Sequence, residues 1–203
     1  MSFLRTIKQK LKIIFPKNIN RTPTKYGVII NKEEKEDNIS QNLINNFNYN
    51  KDNIHITNSI DENEIKQIYE KGHRGDSFIF IYNGSNIFDI KIIIELCPKY
   101  NKLILIIDSM INIDIRLSIE YFDQNIIKHE IDSEGLGDII MIMGIGKGEF
   151  IDFTLKVLKE YDIDIEWTEF IDFIKIKLRD NKIGYKIKLM TTRKELIDDI
   201  ICI

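Results

Sequence analysis

Alanine is absent from the 203 residues of this chain, and cysteine, histidine and proline are scarce. The two cysteines, Cys97 and Cys202, are too few for the disulfide framework of a small secreted domain, and no secretory signal precedes them, so we expect a cytoplasmic protein. The three histidines show none of the spacings of a zinc site, so we expect no metal and no cofactor. No apolar stretch reaches the roughly 20 residues that cross a bilayer.

Isoleucine supplies most of the apolar residues, with 46 copies in the chain. Ile, Asn and Lys have AT-rich codons, so the composition indicates an AT-rich gene, such as that of a large insect DNA virus or an AT-rich protist. A content of 43% hydrophobic and 30% charged residues fits one well-buried domain. The net charge of −3 argues against general binding of nucleic acid.

The amino terminus is basic, and no acidic residue occurs before Glu33. Its apolar residues fall on one helical stripe with lysines beside them, which predicts an amphipathic helix. This helix is expected either to contact a membrane surface or a partner through residues 3–15, or to pack on the domain that follows. We divide the chain into residues 1–24, the helix and linker, and residues 25–203, the domain. The residues that define the helix are Phe3, Leu4, Ile7, Leu11, Lys8 and Lys12.

Short apolar runs alternate with helical patterns along the domain. This alternation predicts an α/β fold with a six-stranded, mainly parallel sheet and helices on both faces. The six predicted strands are Tyr26–Ile30, Asn53–Thr57, Ser77–Tyr82, Leu103–Ile107, Ile139–Met143 and Lys186–Met190.

Two of these strands carry recognisable flanking residues. Residues 75–86 read Gly-Asp-Ser, an apolar run and Tyr-Asn-Gly-Ser, and residues 103–110 read an apolar run followed by Asp-Ser-Met. The segments resemble the two catalytic motifs of metacaspases, which read GDS, a strand and YSGHG, and a strand followed by DSCHSG. On that pattern the catalytic histidine falls on Ser85 and the catalytic cysteine on Met110.

The resemblance implies a caspase-like fold without caspase chemistry. A thioether has no ionisable proton, and a lone hydroxyl is no base near neutral pH, so Met110 and Ser85 cannot replace the pair. His73 and Cys97 precede their strands and are expected at the opposite rim of the sheet. We therefore expect a pseudoenzyme that binds a protein of a caspase or metacaspase pathway, as an inhibitor or decoy in cell death or proteolysis. The family also implies pairing through an edge strand, here a homodimer through Lys186–Met190.

A second hypothesis is a membrane-associated or structural scaffold that keeps the fold without its chemistry. In metacaspases the aspartate at the head of the second motif lines a pocket for a basic side chain, and Asp108 stands there. Charge-assisted hydrogen bonds would hold such a side chain. A cap on the following turn is the other interpretation of Asp108. The predicted ligand pocket comprises Asp108, Ser109, Asn83, Gly84 and Asp37.

A glycine loop follows the fifth predicted strand. Its backbone amides suggest a third hypothesis, an enzyme that binds an anion or nucleotide there. Met141 and Glu149 occupy positions where the known phosphate-binding motifs need glycine, so a tight surface loop is the other interpretation. The predicted anion loop comprises Gly144, Gly146, Lys147 and Gly148.

Overall fold

The computed structural model describes residues 21–30, 36–84, 86–122, 124–131, 136–146, 149–160, 165–181 and 184–198. The strands in these ranges are β1 Lys25–Ile30, β2 Ile54–Thr57, β3 Ser77–Asn83, β4 Lys102–Ser109, β5 Ile119–Phe122, β6 Asn125–Lys128, β7 Asp138–Ile145 and β8 Lys186–Thr191. The α-helices are α1 Glu36–Phe47, α2 Glu62–Lys71, α3 Ile87–Glu95, α4 Phe150–Glu160 and α5 Trp167–Asp180.

All eight strands join one mixed sheet in the order β2-β1-β3-β4-β7-β8-β5-β6. The first five strands of this order run parallel, and β8, β5 and β6 are added by antiparallel pairing. The α/β prediction is confirmed, and each of the six predicted strands is present. The predicted number of six strands is wrong because the β5–β6 hairpin was missed. Each strand of this hairpin has only four residues, and every residue of β6 is exposed, so it offers no buried run to recognise.

The last strand, β8, lies inside the sheet. It is hydrogen-bonded to β7 on one side and to β5 on the other. The prediction that Lys186–Met190 forms an edge available for a homodimer is therefore wrong, because the hairpin covers that side. Among the described strands, β2 and β6 are the two edges of the sheet.

Helices cover both faces of the sheet, as predicted. One core packs α1, α4 and α5 against inward-facing residues such as Ile104 and Ile142. The other packs α2, α3 and the segment 113–117 against residues such as Leu105 and Met141. The central strands are thus buried on both faces, which is why they read as continuous apolar runs.

A buried carboxylate holds the loops at the amino ends of the strands. Asp76 accepts hydrogen bonds from the side chain of Arg21, from the backbone N–H of Thr24 at 2.8 Å and from that of His73 at 2.8 Å. Burial acts to raise the pKa of Asp76, but these donors stabilise the carboxylate and lower the pKa below its usual value. Asp76 therefore links the segment before β1 to the loop before β3.

Candidate functional site

The carboxyl ends of β3, β4 and β7 lie side by side and bring two predicted sites together. The strand register pairs Asn83 with Asp108, and Asp108 with Gly144. Beyond these pairs, the Gly84 N–H donates to the Asp108 carbonyl at 3.0 Å, and the Gly146 N–H donates to the Ser109 carbonyl at 2.9 Å. The predicted ligand pocket and the first part of the predicted anion loop are therefore one site, which we call the carboxyl edge.

Asp108 joins β4 to the start of α4. Its side chain is buried, with the residue 2% exposed, and its Oδ2 accepts a hydrogen bond from the Phe150 N–H at 2.6 Å. Burial raises the pKa of Asp108, although the N–H groups of Phe150 and Ile151 oppose this by stabilising the charged form. Asp108 thus caps a helix 42 residues away rather than the turn that follows it.

The other carboxyl oxygen of Asp108 differs from Oδ2 in its surroundings. Its Oδ1 is buried and has no hydrogen-bond partner among the described residues. Nearby Asp152 and Glu149 add negative charge, which also acts to raise the pKa of Asp108. A cationic group of a ligand would be a suitable partner for this oxygen. The predicted contact with a basic side chain stays a prediction.

The glycines of the predicted anion loop accommodate aromatic rings. A Cβ atom on Gly144 would lie 2.1 Å from the ring of Phe150, and one on Gly146 would lie 2.3 Å from the ring of Tyr185. The Tyr185 hydroxyl also accepts a hydrogen bond from the Glu149 N–H at 2.6 Å. Packing therefore accounts for both glycines without a bound anion. Lys147 and Gly148 lie outside the described residues.

The first N–H groups of α4 are occupied by the protein itself. The Tyr185 hydroxyl accepts a hydrogen bond from the Glu149 N–H, and the Asp108 side chain accepts one from the Phe150 N–H. A phosphate at this helix terminus would have to displace those acceptors and approach a buried acidic side chain. This arrangement favours the tight-loop interpretation over the anion-binding one.

The end of β3 is fixed by a polar cluster. The Tyr82 hydroxyl donates to Asp89 Oδ2 at 3.0 Å and accepts from the Asn86 N–H at 3.2 Å. Burial is the main cause that raises the pKa of Tyr82 to about 12. A Cβ on Gly84 would lie 2.6 Å from the Tyr82 hydroxyl, so glycine is required for this close approach. Ser85 lies outside the described residues.

The end of β4 turns outward and exposes apolar side chains. Ser109 is buried, and its Oγ accepts from the Ile111 N–H at 3.2 Å and donates to the Ile111 carbonyl at 2.7 Å. Met110 is 72% exposed and Ile111 is 58% exposed. Phe88, in the first turn of the helix that follows β3, is 70% exposed. Sequence reasoning overlooked Ile111 and Phe88, although an apolar residue in a turn after a buried strand was an available signal.

The described thiol and imidazoles lie away from this edge. His73 precedes β3, and Cys97 follows α3 on the amino side of β4, as predicted. His55 lies within the edge strand β2, and His129 directly follows β6. Cys97 is buried, which raises the pKa of its thiol to about 12. Within the described ranges, the carboxyl edge therefore contains no cysteine–histidine pair.

Several predicted site residues lie outside the described part of the chain. Asp37 is in the first turn of α1, but its side chain is not among those described. No α-helix of the described ranges has the length and apolar character needed to span a membrane. The predicted amphipathic helix and the second cysteine lie outside the described residues: Phe3, Leu4, Ile7, Leu11, Lys8, Lys12 and Cys202.

Replacing Asp108 by alanine is expected to lower the free energy of unfolding by about 2 kcal/mol at pH 4, because the buried Phe150 N–H loses its acceptor. The raised pKa means that the folded protein holds the proton of Asp108 more tightly than the unfolded chain does. This contribution is complete below the unfolded-state pKa and is lost as pH rises through the folded-state pKa. The cost of the substitution should therefore be smaller at pH 8, as measured by urea denaturation.

The control is Asp114→Ala, because the Asp114 side chain is 79% exposed and pairs only with Arg116 among the described residues. Asp114→Ala should lower the free energy of unfolding by less than about 1 kcal/mol at either pH. A cost of Asp108→Ala that grows between pH 4 and pH 8 would contradict the role given to this carboxyl group.

No protein-family model matches this chain, and no curated protein matches it. A functional assignment therefore rests on the residues of the carboxyl edge.

Proposed function

We propose that this protein is a catalytically inactive, caspase-like pseudoprotease that acts by binding another protein at its carboxyl edge. The observation that carries the proposal is the register of β3 and β4, which pairs Asn83 with Asp108. Counting on two residues from each member of this pair gives positions 85 and 110, where the metacaspase motifs have histidine and cysteine. Adjacent strands lie about 4.8 Å apart, so the two motifs end on neighbouring strands as a catalytic pair would require.

The chemistry of cleavage is missing at these positions. A cysteine peptidase needs a thiolate together with an imidazole that activates it and then protonates the leaving amine. Met110 presents a thioether, and the serine at position 85 supplies a hydroxyl. Cys97 cannot take over, because its thiol is buried, has a pKa of about 12 and lies at the opposite edge. A segment bound at the carboxyl edge would therefore be held and not cut.

The apolar side chains at this edge supply the binding energy in the proposal. Met110, Ile111 and Phe88 are large, apolar and more than half exposed. Large exposed apolar side chains are a common feature of interaction surfaces. By the resemblance to metacaspases, the proposed partner is a protein of a caspase or metacaspase pathway, for which this chain would be an inhibitor or decoy. A basic side chain of that partner would pair with the buried Oδ1 of Asp108 only where the carboxyl edge opens to admit it.

The proposal is tested by binding to purified caspases and metacaspases and by their inhibition, measured by titration calorimetry and by cleavage of peptide reporters. Met110→Asp and Ile111→Asp are each expected to weaken the interaction by about tenfold or more, because they place a charge in an apolar contact. Both residues are exposed, so the variants should fold like the wild type.

The matched control is Ile127→Asp on β6, where Ile127 is 40% exposed at the far edge of the sheet. It should leave binding unchanged. Absence of binding to every member of the pathway, or equal weakening by the control, would contradict the proposal.

A further inference from the structure

A concave surface lies between α3 and the segment 113–118, and none of its lining residues belongs to the ligand pocket or anion loop described above. It is a cleft of about 700 Å³, within the range of roughly 300–1,000 Å³ that is typical of ligand sites. Its apolar lining includes Ile94, Ile115, Leu117 and Leu136. The proposed function makes no use of this cleft.

Charged side chains stand at the rim of the cleft. Asp114 and Arg116 lie on one side and form an ion pair with each other, with 3.3 Å between Oδ1 and Nε. Lys91 and Glu95 lie on the other side, one turn apart on α3. Neither Lys91 nor Glu95 forms an ion pair with another described residue. The charges of Lys91 and Glu95, about 6 Å apart along the helix axis, are therefore available to pair with a ligand.

The segment that forms the other wall resembles a strand without a partner. Ile113, Ile115 and Leu117 are buried, while Asp114 and Arg116 between them are exposed. This period of two indicates a largely extended course, with one tight turn around Asp114, where the Ile115 N–H donates to the Ile113 carbonyl at 3.0 Å. The N–H and carbonyl groups of Asp114 and Arg116 make no hydrogen bonds with the described residues. The unpaired peptide groups of Asp114 and Arg116 are available to hydrogen-bond to another extended chain.

We propose that this cleft binds a segment of another protein in extended conformation, with an acidic and a basic side chain two positions apart. Alternate residues of a strand are separated by about 6.6 Å, which matches the spacing of Lys91 and Glu95 along α3. The acidic side chain pairs with Lys91 and the basic one with Glu95. The residue between them points the other way, so it is apolar and covers Ile94 and Leu136. Backbone hydrogen bonds to Asp114 and Arg116 set the register.

The chain's own amino terminus does not meet this requirement. The first 32 residues contain several lysines and arginines but no acidic residue. They can pair with Glu95 but offer no carboxylate side chain to Lys91. Charge complementarity therefore favours a segment of a different protein.

The test uses two labelled, blocked heptapeptides, Thr-Val-Glu-Val-Lys-Val-Thr and Thr-Val-Lys-Val-Glu-Val-Thr, and fluorescence anisotropy with the full chain. The wild type should bind one of them about fivefold more tightly than the other, because only one order of charges suits the direction of the bound segment. The double variant Lys91→Glu, Glu95→Lys should invert that preference. Both positions are exposed on α3, so the exchange should leave the fold intact.

The control exchanges a different helical pair, Glu62→Lys with Lys66→Glu. These residues form an ion pair with a separation of 2.6 Å on α2 and do not line the cleft. The peptide preference should survive this exchange. N-methylation of the central valine should weaken binding if backbone hydrogen bonds set the register.

Three results would overturn the proposal. The first is failure of both peptides to bind with a Kd below about 1 mM. The second is a preference that persists after the exchange at Lys91 and Glu95. The third is a rise in affinity of tenfold or more on deletion of residues 1–17, which would identify the amino terminus as the occupant. None of these results depends on the carboxyl edge, so they leave the proposed function untouched.

Discussion

Replacing Gly144 by alanine is expected to lower the free energy of unfolding by about 3 kcal/mol, at the upper end of the cost of overpacking a core. The added Cβ would lie 2.1 Å from Cγ of Phe150. That ring is fully buried among close-packed neighbours, so it has little room to move away from the added atom. Trp167 is the only tryptophan of the chain and is fully buried, so its fluorescence reports urea unfolding.

Gly184→Ala is the matched control for this substitution. A Cβ at Gly184 has no neighbouring atom within 4 Å and the backbone there does not need glycine. The change should be neutral or stabilise by up to about 1 kcal/mol, through the lower entropy of the unfolded chain. Similar effects of the two substitutions would contradict the packing role of Gly144. Stabilisation of the wild type by inorganic phosphate, abolished by Gly144→Ala, would support the anion-binding alternative instead.

The strands that could be predicted from the sequence are those buried on both faces. β3, β4 and β7 read as unbroken apolar runs because helices cover them on each side. β6 could not be predicted in this way, because all four of its residues are exposed and its pairing with β5 is the main evidence for it. The edge position assigned to β8 failed for a related reason. Strand order depends on contacts between distant segments, which local patterns do not encode.

The candidate site was predictable in its location but not in its contacts. Asp108 was placed at the end of β4 from the pattern of an apolar run followed by a polar residue. Its partner, the N–H of Phe150, is 42 residues away and has no signature in the sequence. The glycine loop allows two interpretations, and the contact that favours a tight loop, Tyr185 directly before β8 against Gly146, has no signature in the sequence. A glycine pattern alone does not distinguish a loop that holds an anion from one that fits a ring.

A double variant, Ser85→His with Met110→Cys, is expected to cleave peptide reporters at least about 100-fold faster than the wild type, which should be silent. The physical reason is the strand register, which carries Asn83 and Asp108 to neighbouring positions and so sets the ends of the two motifs beside each other. An introduced thiol at the exposed end of β4 would be accessible to substrate, because Met110 is 72% exposed. The measurement is hydrolysis of reporters that end in Arg, Lys or Asp, with and without calcium.

Each single variant serves as a control, since neither a thiol nor an imidazole alone completes the pair. The pH dependence of alkylation of the introduced thiol gives an independent readout, because a neighbouring imidazolium lowers a thiol's pKa. Activity of the double variant with a lowered thiol pKa would mean that the substrate groove has kept its shape while its chemistry was lost. A silent double variant whose thiol reacts like an ordinary cysteine would contradict the placement of positions 85 and 110 as a former catalytic pair. Cleavage by the wild type would contradict the pseudoenzyme proposal itself, because no described cysteine–histidine pair stands at the carboxyl edge.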